Sequence, residues 1–250
     1  MSPACVLEGR QSWRGLLFLH WPLPPEALRG VVPRELPLDL REGSAWVSVI
    51  AFDIHSARPP FVPLGLGIDF LETNVRTYVR LPGGEPAIWF FSLEASSALA
   101  VAGARIAYGL PYRWARMARE SEDDAVIYRT VRRRGPGAPG LEVRYRVGPQ
   151  REAAAAGSLD EFLIERYVLH VVRRGGVRTV RVRHRPYPLR DVEVESVAED
   201  LLAAGGVERP DRVPLAHFSD GVDVEVHRIL ERRKERAHGW FSRRRDPAAA

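Results

Sequence analysis

The chain has 250 residues, 45% hydrophobic and 28% charged, enough to bury a full core. Its net charge is +5, and Lys234 is the only lysine, so nearly all the positive charge is arginine; codon bias in a GC-rich genome explains that better than a nucleic-acid role, which needs a clustered patch. The lone cysteine, Cys5, excludes an internal disulfide, and the absence of both an apolar leader and a run of about eighteen apolar residues leads us to expect a cytoplasmic protein without a membrane span.

In chain order, Arg14 to Trp21 reads as a buried strand ended by Pro22. Pro24 to Val32 reads as a short helix with proline in its first turn. A short strand is expected from Leu36 to Leu40 and a strong one from Ala45 to Ile54. Arg58 to Gly67 is an apolar loop rich in proline and glycine, either a lid or a packed corner.

The stretch from Asp69 to Arg80 is rich in β-branched and aromatic residues and reads as a strand. Side chains on a strand alternate faces. One face carries Leu71, Thr73, Val75, Thr77 and Val79; the other carries Phe70, Glu72, Asn74, Arg76, Tyr78 and Arg80. The second set is either a solvated face or a binding row. After the turn at Leu81 to Pro86, the run from Ala87 to Glu94 is apolar on both faces, as in a strand inside a sheet or barrel. If the two strands pair, the polar row lies beside an apolar wall, which is how small-ligand pockets are built.

Ser96 is placed to cap a helix from Ala98 to Tyr108, whose small residues suggest close packing on a sheet; Gly109 to Pro111 stops it. A strand follows from Tyr112 to Met117, then a hairpin of Ala125 to Arg133 with Leu141 to Val147. Ser158 and Glu161 form a capping box opening a helix toward Arg166. Tyr167 to Val172 and Val177 to Arg183 form another hairpin. Short strands near Val192, Leu215 and Val222, with a helix from Val197 to Ala203, complete the pattern. Many strands and few helices predict a mainly β (α+β) fold, an antiparallel β-barrel with a few short helices, since closure removes exposed edges. Residues 1–230 read as one barrel domain and residues 231–250 as a basic, flexible tail.

The seven histidines have no close ligand spacing, so no metal site is expected, and no cofactor fingerprint is present. His20 lies in an apolar strand, as a core histidine or a ligand contact. Ser92 lacks the Gly-x-Ser-x-Gly elbow of a nucleophile.

The blocks Leu19-His20-Trp21-Pro22, Phe70 to Val79, Trp89 to Ala95 and Leu110-Pro111-Tyr112 together resemble the bacterial YqjF-like family of uncharacterised proteins, roughly from Trp13 to Phe218. The resemblance implies a fold similar to acetoacetate decarboxylase, a β-barrel enclosing a cavity. It also implies that Glu72 is the equivalent of a cavity-facing glutamate of that enzyme. The decarboxylase carries its Schiff-base lysine in a Gly-aromatic-Pro-Lys-Lys context; the similar stretch here is Gly109-Leu110-Pro111-Tyr112-Arg113, without lysine. Arginine stays protonated and does not form the imine, so that mechanism is not expected.

The reading is a barrel that binds a small anionic or carbonyl-bearing molecule, with a cofactor-independent lyase or hydrolase step as its chemistry. Glu72 is the candidate acid/base; Arg76, Asn74, Tyr78, Tyr112 and His20 are candidate ligand contacts. Two non-enzymatic alternatives stand beside it. Glu72 and Arg76 could serve structure alone, although about 13 Å separates them along a strand. The arginine-rich tail from Arg232 to Arg245 could contact nucleic acid or anionic lipid.

Overall fold

The computed structural model describes residues 5–133, 137–173 and 176–229. The tail expected at 231–250, Lys234 included, lies outside the described residues. Eleven strands form one sheet: β1 (Cys5–Leu23), β2 (Ala45–Arg58), β3 (Ile68–Val79), β4 (Ala87–Ala95), β5 (Tyr112–Glu122), β6 (Ala125–Arg132), β7 (Gly140–Gln150), β8 (Val168–Arg173), β9 (Gly176–Arg183), β10 (Leu189–Glu199) and β11 (Leu215–Ile229). Four helices are short: α1 (Glu26–Arg29), α2 (Ala98–Ala107), α3 (Leu159–Ile164) and α4 (Leu201–Ala204). The fold is therefore mainly β with few helices.

The sheet closes on itself twice. The order β1-β2-β3-β4-β5-β6-β7-β10-β11 returns to β1 and makes a nine-strand barrel. A second ring leaves β4 for β8, passes through β9 to β11, and returns through β1. Strands β11 and β1 to β4 are shared by both rings. They form a wall with an interior on each side.

That wall explains the apolar runs. On β1, Leu17, Leu19 and Trp21 join one core, while Leu16 and Phe18 join the other. On β2, Val47, Val49 and Ala51 alternate in the same way with Ile50, Phe52 and Ile54. A strand buried on both faces has no polar side to show. The nine-strand barrel is filled by its own large side chains, among them Tyr128, Tyr145 and Phe218.

The pairing is antiparallel except at β4, which runs parallel to β5 and to β8. The chain returns from β4 to β5 through α2, and a parallel neighbour needs such a crossover. The sheet is thus mainly antiparallel, as expected, with parallel pairing confined to β4. Ser97, not Ser96, caps α2 by accepting from the Ala100 amide; Ser96 instead bonds the backbone of Leu71. Gly109 ends α2 with φ of 68°, the left-handed conformation that glycine adopts freely. Half of the capping box forms, with Ser158 accepting from the Glu161 amide at 3.1 Å, while the Glu161 carboxylate accepts from the Gly157 amide instead of that of Ser158. The helix expected from Val197 starts only at Leu201, because β10 continues through Glu199. Leu36 to Leu40 gives only an isolated bridge, Leu38 to Val79. The segments near Leu215 and Val222 are one long strand, because β11 pairs with β1 along nearly its full length.

Candidate active site

The odd positions of β3 face the nine-strand barrel. There Thr73 bonds Thr130 at 2.7 Å, and Thr77 donates to the Trp46 carbonyl at 2.7 Å. The even positions face the second ring. Phe70, Glu72, Asn74 and Arg76 line a cavity of about 670 Å³ between the shared wall, β8, β9 and α2. The row is buried rather than solvated: Glu72 is 4% exposed, Asn74 6% and Arg76 7%. Its flanking strands offer mainly carbon. Asn74 pairs in register with Ile50 on β2 and Leu93 on β4, and Glu72 with Phe52 and Ala95.

Among the described residues Glu72 has no basic partner. The Tyr112 hydroxyl donates to its Oε2 at 2.7 Å. Burial pushes the Glu72 carboxyl up to about 7, the Tyr112 and Asn74 hydrogen bonds pull the other way, and the nearby Glu94 charge adds to the rise. Burial and the Glu72 charge in turn hold the Tyr112 phenol well above its usual range, so it stays a donor.

Arg76 lies farther along the same row. Its Nη2 donates to the Leu163 carbonyl at 3.0 Å, and its guanidinium sits 5.8 Å from the Phe18 ring and 5.7 Å from the Tyr78 ring. Among the described residues it pairs with no carboxylate, and no Glu72–Arg76 ion pair forms. Its Nε and the Asn74 Oδ1 are buried without a hydrogen-bond partner. A register shift on β4 accompanies this residue: Val75 faces Ser92 but Arg76 faces Phe90. Such bulges re-aim side chains beside functional sites.

Tyr78 and His20 do not line the cavity. Tyr78 donates to the Leu163 carbonyl at 2.8 Å and bonds Ser48 at 2.6 Å, and Ser48 bonds His20 at 2.7 Å. His20 stands 5.2 Å from the His217 ring, whose Nε2 meets Asp160 at 3.0 Å. Burial, with His217 and Arg76 nearby, pushes His20 well below the ordinary histidine range. The two were expected as ligand contacts, but the cavity lining does not include them. They lie behind Arg76 because α3 covers that end of the row with its Leu163 carbonyl, which takes hydrogen bonds from both Arg76 and Tyr78. Arg80, last in the row, is exposed and pairs with Asp39.

Two cavity residues went unread in the sequence. Arg166 follows α3, donates to Asp39 at 2.7 Å and covers the Phe162 ring at 4.2 Å. Tyr187 is held between Pro186 and Pro188 and packs on Phe18. An arginine in an apolar stretch and an aromatic locked between prolines were the available signals. Helix α2 packs against β5 and β4 as expected, and its small face of Ala100, Gly103, Ala104 and Ala107 also lines the cavity; Val101 is its one buried residue. The apolar loop reaches the cavity through Pro59, Pro60 and Phe61. Among the described residues no cluster of three His, Cys, Asp or Glu side chains is placed to hold a metal ion, and no helix is long and apolar enough to cross a membrane.

The family model described as an uncharacterized conserved protein, DUF2071, matches residues 10–223. The chain belongs to the DUF2071 family. The uncharacterized protein YqjF of Bacillus subtilis is 37% identical over 216 residues, 86% of this chain and 88% of that protein. Among solved structures, acetoacetate decarboxylase from Legionella pneumophila is similar with a TM-score of 0.58 at 15% identity, over 90% of this chain and 87% of that one. The enduracididine biosynthesis enzyme MppR complexed with pyruvate is similar with a TM-score of 0.57 at 13% identity, over 91% of this chain and 89% of that one. At these identities the likeness establishes the barrel as acetoacetate decarboxylase-like in fold. In the stretch that resembles the lysine context, Tyr112 stands at the first lysine position, and its hydroxyl touches Glu72.

Proposed function

We propose that this DUF2071 protein binds a small organic acid or carbonyl compound in the cavity of its second ring and transfers a proton to or from it through Glu72. The observation that carries the reading is a carboxyl buried in the cavity wall with, among the described residues, no cation beside it, so that burial pushes it up to about 7. A group poised near the working pH serves as general acid or base. Tyr112 fixes its orientation by donating to Oε2. Arg76, which pairs with no carboxylate among the described residues, is the group that would grip an acid, with the Asn74 amide beside it in the row. The chemistry is a lyase or hydrolase step without a cofactor. Among the described residues no lysine lines the cavity to carry an imine mechanism. MppR, of the same fold, is complexed with pyruvate, which supports an acid of this kind.

The test has two parts. Thermal shift with small carboxylates, keto acids and phosphates is expected to stabilise the wild type and not Arg76→Met. A ligand at about a hundred times its dissociation constant stabilises by about 2.7 kcal/mol. In D2O, NMR should then show exchange of the protons next to the carbonyl of a bound keto acid. Glu72→Gln is expected to slow that exchange by about a hundredfold or more. Exchange at the wild-type rate in Glu72→Gln would remove Glu72 from the chemistry.

A further inference from the structure

Burial divides the cavity lining into a floor and a mouth. Glu72, Asn74 and Arg76 are buried and form the floor. Val6, Pro59, Phe61, Gly103 and Ala107 line the same cavity but are exposed, Phe61 at 83%, so they mark where it opens. Between mouth and floor β3 runs from Ile68 to Glu72, a span of roughly 13 Å by the strand rise. Along this path the lining is carbon: Ile68 and Phe70 on β3, Ile54 and Phe52 beside them, and the alanine face of α2 above. The polar side chains near the opening are engaged elsewhere. Glu8 pairs with Arg228 at 2.7 Å, and Arg58 donates to the Ser56 carbonyl at 3.0 Å. The unpartnered polar atoms of the lining are therefore on the floor, at Asn74 Oδ1 and Arg76 Nε. The surface around the opening is also apolar. Leu64 and Leu66 follow Phe61, and Leu99 and Ile106 flank the lining face of α2; all four are strongly exposed.

We infer that the ligand is an amphipathic acid, with a carboxylate or oxo-acid head on the Asn74–Arg76 floor and an apolar body of several carbons reaching toward Phe61. This deepens the proposed function and rests on it, because the head uses the same floor. The physical reason is mismatch. A cavity of about 670 Å³ is of the size that encloses a drug-sized molecule. A three-carbon acid on the floor would leave the carbon-lined part without an occupant, whereas an alkyl or aromatic body would bury its surface there. The small side chains of α2 suit that body: larger ones at Gly103 and Ala104 would occupy its path.

Isothermal titration of the full chain with acetate, hexanoate and decanoate tests this, with 1-decanol as the control without a charged head. Affinity is expected to rise roughly fourfold per added methylene until the cavity fills. Decanol should bind at least about tenfold more weakly than decanoate, a difference that Arg76→Met erases. Ala104→Phe should weaken decanoate by about tenfold or more while sparing the short acids. Gly103→Leu should act in the same direction; a Cβ added at that helical glycine meets no protein atom within 4 Å, so the helix backbone accepts a side chain there. Affinity independent of chain length, with acid binding still lost in Arg76→Met, would overturn the amphipathic ligand and leave the small-acid reading standing. Unchanged decanoate binding in both α2 variants would overturn it in the same way. Decanol binding as tightly as decanoate would remove the acid head, and no binding by any acid would sink both readings.

Discussion

Two buried glutamates sit on neighbouring strands of the shared wall, facing its opposite sides. Glu94, on β4, is fully buried and accepts from Arg132 at 2.7 and 2.9 Å. Glu72, on β3, is nearly as buried and meets only a phenol and an amide. Burial pushes both carboxyls up, but only Glu94 has a guanidinium to pull it back. The odd face of β3 shows the same economy as Glu94: Thr73 and Thr77 each find a protein partner. On the even face, Asn74 Oδ1 and Arg76 Nε do not. Each side leaves buried polar atoms unpartnered, Glu94 Oε2 on one and Asn74 Oδ1 and Arg76 Nε on the other, so the difference lies in the cation: among the described residues the carboxyl on the cavity side has none.

The contrast can be broken experimentally. The largest effect is expected from Arg132→Met, which leaves Glu94 buried beside no cation. Breaking a buried pair in this way costs about 3–5 kcal/mol, to be read from urea denaturation at neutral pH. A loss below about 1 kcal/mol would show that Glu94 does not need its partner.

Next in size is the pH dependence carried by Glu72. Its folded pKa lies at about 7 against an ordinary 4.5. The folded state therefore holds the proton more tightly. The stabilisation this contributes is complete below about pH 4.5 and is lost as pH rises through about 7. The difference in pKa corresponds to about 3 kcal/mol. Glu72→Gln should show a correspondingly smaller fall in stability between pH 5 and 8 than the wild type. Glu199, also raised to about 7, keeps its own contribution in both proteins, so the difference between the two curves isolates Glu72. Parallel curves would mean that Glu72 titrates as an ordinary surface glutamate.

The smallest effect sharpens the division of labour behind the floor. Tyr78→Phe removes the hydroxyl that joins Ser48, His20 and the Leu163 carbonyl. Loss of this buried hydroxyl is expected to cost about 1–2 kcal/mol, while acid binding weakens far less than in Arg76→Met. Equal loss of binding in the two variants would place Tyr78 among the ligand contacts after all.

The strand with its polar row was legible because a period of two is a local property of the backbone. Phe70, Glu72, Asn74 and Arg76 share a face in any strand they form. The buried character of the neighbouring strands was legible for a similar reason, since a run apolar on both faces has no side to turn to water. What local chemistry could not reveal was where each strand closes. No feature of β4 says that it has parallel neighbours in both β5 and β8, and that choice creates the second ring and with it the cavity. His20 and Tyr78 show the limit most clearly. They share strands with cavity residues, yet α3 lies over them, and its position depends on contacts far apart in sequence, such as Tyr78 with Leu163.

The amino-acid sequence alone thus determined the strands, the alternation of their faces and the chemistry of the β3 row, because these follow from nearest neighbours along the chain. The tertiary structure decided that the row faces a cavity, that Tyr112 meets Glu72, and that Arg132 neutralises Glu94 but no described residue neutralises Glu72. Those outcomes depend on which distant segments are brought together and on how much water they exclude, and desolvation is a property of the assembled barrel.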